Sequence, residues 1–378
     1  MTIIRITLLI LIILGCAQFV DINKLGLKQR YVVFKSLRSK TKYDSQSLKQ
    51  EIQQLRGIIH KDLRNHNGLV ASINPFKIDA IKKKFDVNIE PDNIYWASGL
   101  SSCSEQPEPP LPPPPQPDQV VPWGIVAVTA NVAWRKTLGE GIVVCVIDTG
   151  IDRGHLDLID NILGGESFVS TEPDFHDLNG HGTHVSGTIA AVDNKIGVIG
   201  VAPRAKLYAV KVLDKTGGGY SSDVADGIMA CINQNVDIIS MSLGGELPST
   251  IIKNALLRAV SKGIYVIAAA GNNSADVGYP AAYDFVIAIS AIDNRMNLAW
   301  FSSRGPEIEF AAPGVDVLST FNNGLYDTMS GTSMAAPHVS GVVALALSAG
   351  KSEIKVRNIN LPREHQGKGL VDAFLTVE

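Results

Sequence analysis

From residue 119 onward the chain repeats one pattern, a short unbroken apolar run followed by a stretch with helical spacing. The runs at 142–147, 205–213, 237–243, 264–270 and 286–291 carry little polar alternation, so each needs cover on both faces. Helical patterns at 182–191, 222–233, 250–262 and 333–348 supply that cover. Such alternation folds as a parallel sheet between helices, an α/β architecture of three layers. In sheets of this kind the ligand crevice opens beyond the carboxyl ends of the strands. Asp148 and Asn272 each follow directly on an apolar run, at that end.

The chain before residue 119 is built differently. Tyr31-Val32-Val33-Phe34 reads as a strand, 45–56 as a helix, 69–73 as a strand, 75–85 as a helix and 88–96 as extended chain. This order predicts a small α+β domain over residues 26–98. Residues 99–118 separate it from the apolar repeats. Eight of the eleven positions from Pro107 to Pro117 are proline, a composition that favours extended polyproline II and builds no core. The stretch reads as a spacer.

Charge follows the same division. Residues 1–98 carry 16 Lys+Arg against 8 Asp+Glu, and residues 99–378 carry 18 against 29. The two parts are therefore +8 and −11, which sum to the net −3. Opposite signs would draw two segments of one chain together, although solvated surfaces explain them equally well. The acidic larger part argues against nucleic acid as a partner.

At the start, Arg5 precedes the apolar run 6–14, too short to span a bilayer and typical of an export-signal core. It ends in Ile13-Leu14-Gly15-Cys16, which resembles a prokaryotic lipoprotein box. Residues 1–20 thus read as a signal peptide, with lipidation of Cys16, ordinary cleavage and an uncleaved anchor all open. The expected location is secreted or extracytoplasmic, with a lipid anchor at Cys16 as the route to a cell surface. Cys103 falls in the spacer, while Cys145 and Cys231 lie in apolar or helical surroundings. Small buried thiols are expected at the last two, not a disulfide framework.

Three motifs carry chemistry: Asp148-Thr149-Gly150, His181-Gly182-Thr183-His184 and Gly331-Thr332-Ser333-Met334-Ala335. A serine hydroxyl becomes a nucleophile when an imidazole takes its proton, and a carboxylate fixes the tautomer of that imidazole. Asp-Thr-Gly alone also marks aspartic proteases, but these need a second such motif to share a proton, and the chain has none of its own, so that only a dimer could supply it. The two histidines lack the His-Glu-x-x-His spacing of a zinc hydrolase, so His184 reads as structural.

With its motifs in the order Asp, His, Ser, and with the twelve residues Ser330 to Gly341, the chain resembles a subtilisin-like serine protease made as a precursor. The resemblance implies a three-layer catalytic domain over 119–378, preceded by a ferredoxin-like propeptide over 26–98. Asp148 would orient His181, His181 would act as base and then acid, and Ser333 would be the nucleophile. Asn272 and the Ser333 N–H would form the oxyanion hole. The groove would be walled by Gly217, Gly218, Gly219 and Tyr220 on one side and by Ser242, Leu243 and Gly244 on the other. Gly278 would floor a primary pocket that takes large apolar side chains.

The resemblance also implies Ca²⁺, held by Gln119, Asp157 and Asn194 and by the carbonyls of Val192, Ile196 and Val198. A weaker second ion near Ala281 and Tyr283 is a further expectation. The propeptide would fold the enzyme and inhibit it from within, and self-cleavage would fall near 96–99, after Ser98. Partners are then protein and peptide substrates, and the enzyme is expected to be a monomer. Two other readings stay open: a narrow maturation protease, and an anchored binding module that has lost catalysis.

Overall fold

The structure, a computed structural model, describes residues 29–35, 44–98 and 117–378. The expected signal peptide with Cys16, and nearly all of the spacer, lie outside the described residues. The segment before the spacer runs β1 (Arg30–Lys35), α1 (Ser45–Gln54), β2 (Ile58–Leu63), β3 (Gly68–Ser72), α2 (Ile78–Phe85), β4 (Val87–Pro91) and β5 (Ile94–Ala97). The first four strands form an antiparallel sheet in the order β2-β3-β1-β4. β2 departs from the expected element order. It is an edge strand whose sequence, Ile-Ile-His-Lys-Asp-Leu, is half polar and leaves Ile58 exposed, so it lacks a clear apolar pattern.

Side chains alternate across this sheet. Tyr31, Val33, Leu69 and Ala71 share a core with Leu48 and Ile52 of α1 and Ile81 of α2. Val32, Phe34, Leu63 and Val70 join the core of the larger part instead. The small sheet is therefore buried on both faces, one by its own helices and one by the rest of the chain.

The larger part opens with α3 (Trp123–Ala127), α4 (Ala130–Ala133), β6 (Val143–Asp148), β7 (Ile162–Ser167), α5 (His181–Ala190), β8 (Lys206–Lys211), β9 (Gly218–Tyr220) and α6 (Ser221–Asn233). There follow β10 (Ile238–Met241), β11 (Leu243–Gly244), α7 (Thr250–Ser261), β12 (Tyr265–Ala269), β13 (Ile287–Ile292), β14 (Ile308–Pro313) and the hairpin β15 (Val317–Phe321) and β16 (Leu325–Met329). The chain closes with α8 (Thr332–Ser348), β17 (Val356–Arg357), α9 (Arg363–Gln366), β18 (Leu370–Val371) and α10 (Ala373–Val377).

Nine strands form one sheet in the order β17-β18-β14-β13-β12-β10-β6-β8-β7, parallel throughout except for the β17–β18 pair. One core, with α5 and α8, covers one face; the other, with α6 and α7, covers the opposite face. This is the α/β three-layer arrangement expected from the apolar runs.

The cysteine expectation is corrected. Cys145 on β6 and Cys231 on α6 form a disulfide, their Cα atoms 5.9 Å apart. Both are buried, as expected, but α6 lies on the sheet face toward which Cys145 points, and the residues are 86 apart in sequence. Only the tertiary packing brings them together.

Candidate active site

Asp148 ends β6, His181 opens α5, Ser333 lies in the first turn of α8, and Asn272 follows β12. The fold thus brings Asp148 to His181, and Asn272 to the first turn of α8 that carries Ser333. Asp148 is fully buried; its Oδ1 accepts from His181 Nδ1 at 2.7 Å and from the Thr149 N–H at 2.7 Å. With Nδ1 committed to the carboxylate, Nε2 is the ring nitrogen left to take a proton. Burial disfavours the His181 imidazolium, but the charge and hydrogen bond of Asp148, with help from Asp177, outweigh it and raise the pKa above its ordinary value.

Asp177, four residues before His181, is a fully buried hub that the sequence reading missed. Its Oδ1 accepts from Thr149 Oγ1 and from the N–H groups of Asn179 and Gly180, each at 2.9 Å. Its Oδ2 accepts from the Thr183 N–H at 2.9 Å and Thr183 Oγ1 at 2.7 Å. These bonds hold its pKa low despite burial, and they tie the start of α5 to the turn after β6. Lys211, also buried, donates to the carbonyls of Thr149 at 2.6 Å and Leu213 at 3.0 Å, with Glu172 at 2.9 Å neutralising it. A signal was present in the sequence: an Asp three residues ahead of a glycine that opens a helix is a capping pattern.

Ser333 departs from the simplest expectation. Its hydroxyl donates to the Ser242 carbonyl at 2.9 Å, while Ser242 Oγ donates to the Ser333 carbonyl at 2.8 Å. Among the described residues, His181 Nε2 is buried without a partner. The serine side chain has a single torsion, with three staggered positions for its hydroxyl. His184, as expected, is structural: Nε2 bonds the Val317 carbonyl at 2.9 Å, and burial pushes its pKa down to about 3.

Asn272 is oriented by its neighbour. Its Oδ1 accepts from the N–H and the hydroxyl of Thr332, both at 2.9 Å, which leaves the amide nitrogen to face the crevice. That nitrogen donates to the Ser98 carbonyl, and the Ser333 N–H lies 3.4 Å from the same oxygen. Thr332 is a second positioning group absent from the sequence reading.

Ser98 arrives there at the end of β5, a strand that lies antiparallel between β9 and β11. Tyr95 pairs with Gly219 and Trp96 with Gly218 on one side; Ala97 pairs with Leu243 and Trp96 with Gly244 on the other. The Ala97 N–H donates to Gly217 at 2.9 Å, and the Ser98 N–H to Ser242 at 3.1 Å. Both expected groove walls therefore hold one extended strand, with main-chain bonds supplying the grip. Glycine is needed at position 219, where a Cβ would run into the Val212 carbonyl. Tyr95 is fully buried and donates to the Leu247 carbonyl at 3.1 Å. Beside Ser98 lies a cavity of about 860 Å³, lined by Gly244, Ala270, Asn272 and Gly278 among others. Tyr220 stands opposite Ile94.

Five of the six expected Ca²⁺ ligands, all but the Ile196 carbonyl, are linked by hydrogen bonds, in two groups. Gln119 Nε2 lies 2.8 Å from the Val192 carbonyl and 3.3 Å from that of Val198. Asn194 Nδ2 donates to Asp157 Oδ1 at 2.8 Å, and the Val198 N–H to Asp157 Oδ2 at 2.9 Å. Among the described residues no group of three or more His, Cys, Asp or Glu side chains could hold a metal. The set here is of another kind, one carboxylate with amides and carbonyls. Two carbonyl oxygens already face one amide tip, and a half-turn of Gln119 would present oxygen there. Such all-oxygen chemistry fits Ca²⁺.

Residues 139–361, more than half of the chain, match the family model described as the subtilase family. The chain is a subtilase, a serine endopeptidase by family. A thermostable alkaline protease of Halalkalibacterium halodurans is 52% identical over 232 residues, 61% of this chain and 63% of that protein. Subtilisin DY of Bacillus licheniformis is 49% identical over 236 residues, 61% of this chain and 85% of that protein. Subtilisin E of Bacillus subtilis is 41% identical over 335 residues, 86% of this chain and 82% of that protein. That last match is too long to be confined to the part after the spacer. No helix among the described residues is long and apolar enough to cross a membrane.

Proposed function

We propose that this subtilase is an exported endopeptidase that cuts its own chain after Ser98 and then hydrolyses peptide bonds in other proteins. The observation that carries this reading is the Ser98 carbonyl, seated against the Asn272 amide and the Ser333 N–H while β5 is gripped on both sides. A carbonyl so held has its developing negative charge met by fixed donors.

The steps follow from the groups present. Ser333 Oγ turns from the Ser242 carbonyl toward His181 Nε2 and attacks the Ser98 carbonyl carbon as Nε2 takes its proton. Asp148 steadies the imidazolium. The oxyanion collapses, the bond to the Gly99 nitrogen breaks, and His181 hands its proton to that amine. A water, deprotonated by His181, then releases the acyl group and restores Ser333. Foreign peptides would lie along β9 and β11 as β5 does, and residues 26–98 would act as leader and intramolecular inhibitor. The cavity beside Ser98 has room for a large apolar side chain in its place. Bound Ca²⁺ would cross-link the loop at Val192–Val198 to Gln119 and Asp157 and take no part in the chemistry.

Intact-mass measurement of the secreted full chain and of its Ser333→Ala variant tests the reading. The wild type should lose residues up to Ser98 and react with a fluorophosphonate at Ser333; the variant should stay whole and unlabelled. Cleavage after Ser98 that persists in the variant would overturn it.

A further inference from the structure

Ahead of the scissile position, β5 runs past a second groove, of about 500 Å³, lined by Tyr220, Asp214 and Asp223 together with leader residues, Ile94 and Trp96 among them. Two cations of the leader sit at it. The Arg30 guanidinium lies 3.8 Å from the centre of the Tyr220 ring. Lys61 Nζ lies between two carboxylates of α6, 2.6 Å from Asp223 and 2.9 Å from Asp226. Both aspartate side chains are largely buried, so each depends on a counter-ion. Arg30 and Lys61 belong to the segment that departs on self-cleavage. The catalytic part keeps the aromatic face and the two carboxylates.

Ile94 is the fifth residue before the cut, stands directly across from Tyr220, and is half exposed at the groove. Side chains paired in this way have their Cβ atoms about 5 Å apart, well within the reach of an arginine. We propose that this groove is a cation subsite, in which Tyr220 and Asp223 read an arginine or lysine at the fifth position before the cleaved bond. A guanidinium there would replace that of Arg30 on the Tyr220 face, and its charge would answer Asp223. Arginine should outrank lysine, because its planar group both stacks and pairs.

This inference rests on the proteolytic reading above, and the test keeps the two apart. Peptides identical except for Arg, Gln or Glu at the fifth position are cleaved by the enzyme that the full chain yields on self-processing. Arg should exceed Gln about 3–10-fold in kcat/KM, carried by KM, with Glu the poorest. The preference should shrink in 1 M salt, which screens a half-open site, and in the Asp223→Asn variant. Equal cleavage of the three peptides would overturn the subsite and leave proteolysis intact. Cleavage of none would overturn proteolysis and the subsite with it. The salt comparison needs no variant, so misfolding of Asp223→Asn would not rescue the proposal.

Discussion

At His181 two effects act on one proton. Burial expels charge, while Asp148 at 2.7 Å and the more distant Asp177 attract it, and the balance raises the pKa above the ordinary value near 6.5. A general base works only when neutral, so kcat should rise with pH through a limb above 6.5. His184 and His338, held neutral by burial with pKa values of about 3 and about 4, cannot supply that limb. Replacing Asp177 by Asn removes one attracting charge, and the limb should move to lower pH. The same variant should lose stability. The depressed pKa of Asp177 contributes stability above the ordinary carboxylate pKa, and this is lost as pH falls through its folded value. Urea melts across pH 2–7 and a kcat profile check the two effects separately. At the oxyanion pocket, Asn272→Ala should lower kcat about 10²–10³-fold with little change in KM, a magnitude already known from a subtilisin. Asp148, His181, Asn272 and Ser333 were legible because each sits in a distinctive motif. Thr332 and Lys211 were not, because they bond Asn272, Thr149 and Glu172, in segments that only folding brings near, whereas Asp177 bonds mainly its own following turn and left a local signal.

Among the elements, those with a single strong pattern were readable. β6, β8, β10, β12 and β13 are mostly apolar and almost wholly buried, and burial on both faces of a parallel sheet favours that pattern. β7 escaped because two of its six residues are glycine, and the hairpin of β15 and β16 because its outer strand is mostly exposed and polar. α6 does more than cover the sheet. Its first turn meets Asp92, and its eighth to twelfth residues lie in the same core as β6. The Cys145–Cys231 bond fixes that helix to the central strand. Closing a loop of this length constrains the unfolded chain, so the double variant Cys145→Ala/Cys231→Ala should lose about 2–4 kcal/mol in denaturant unfolding. Because both sulfurs are buried, dithiothreitol should leave the native protein unchanged and destabilise it only once denaturant opens the core. An unaltered midpoint in the double variant would show that the pair carries no load.

For the molecule as a whole, the length of chain between Ser98 and Gln119 bears on the proposed order of events. In one unbroken chain, the Ser98 carbonyl lies against the Asn272 amide while residues 117–120 are zipped onto the loop at 192–198. The Gln119 N–H donates to Lys195 at 3.0 Å, the Val120 N–H to Gly197 at 2.8 Å, and the Gly197 N–H back to Pro117 at 2.8 Å. Gly197 takes φ +59°, and a Cβ there would strike the Tyr326 ring, so the loop closes only with glycine. Were the cut made directly beside Gln119, one residue could not occupy both places. The sequence leaves eighteen positions from 99 to 116, which at about 3.1 Å each would span tens of ångströms if extended, enough to avoid that conflict. The oxygen set therefore needs no cleavage to assemble. Calorimetry on the uncleaved Ser333→Ala chain should show one tight Ca²⁺ site, and Asp157→Asn should abolish it. At a hundredfold excess over Kd, the ion should add about 2.7 kcal/mol of stability to the precursor, read as a rise in Tm that a chelator reverses. Binding that appears only after the bond at Ser98 is cut would mean that the spacer does not uncouple the two events, and that the ion reports on maturation.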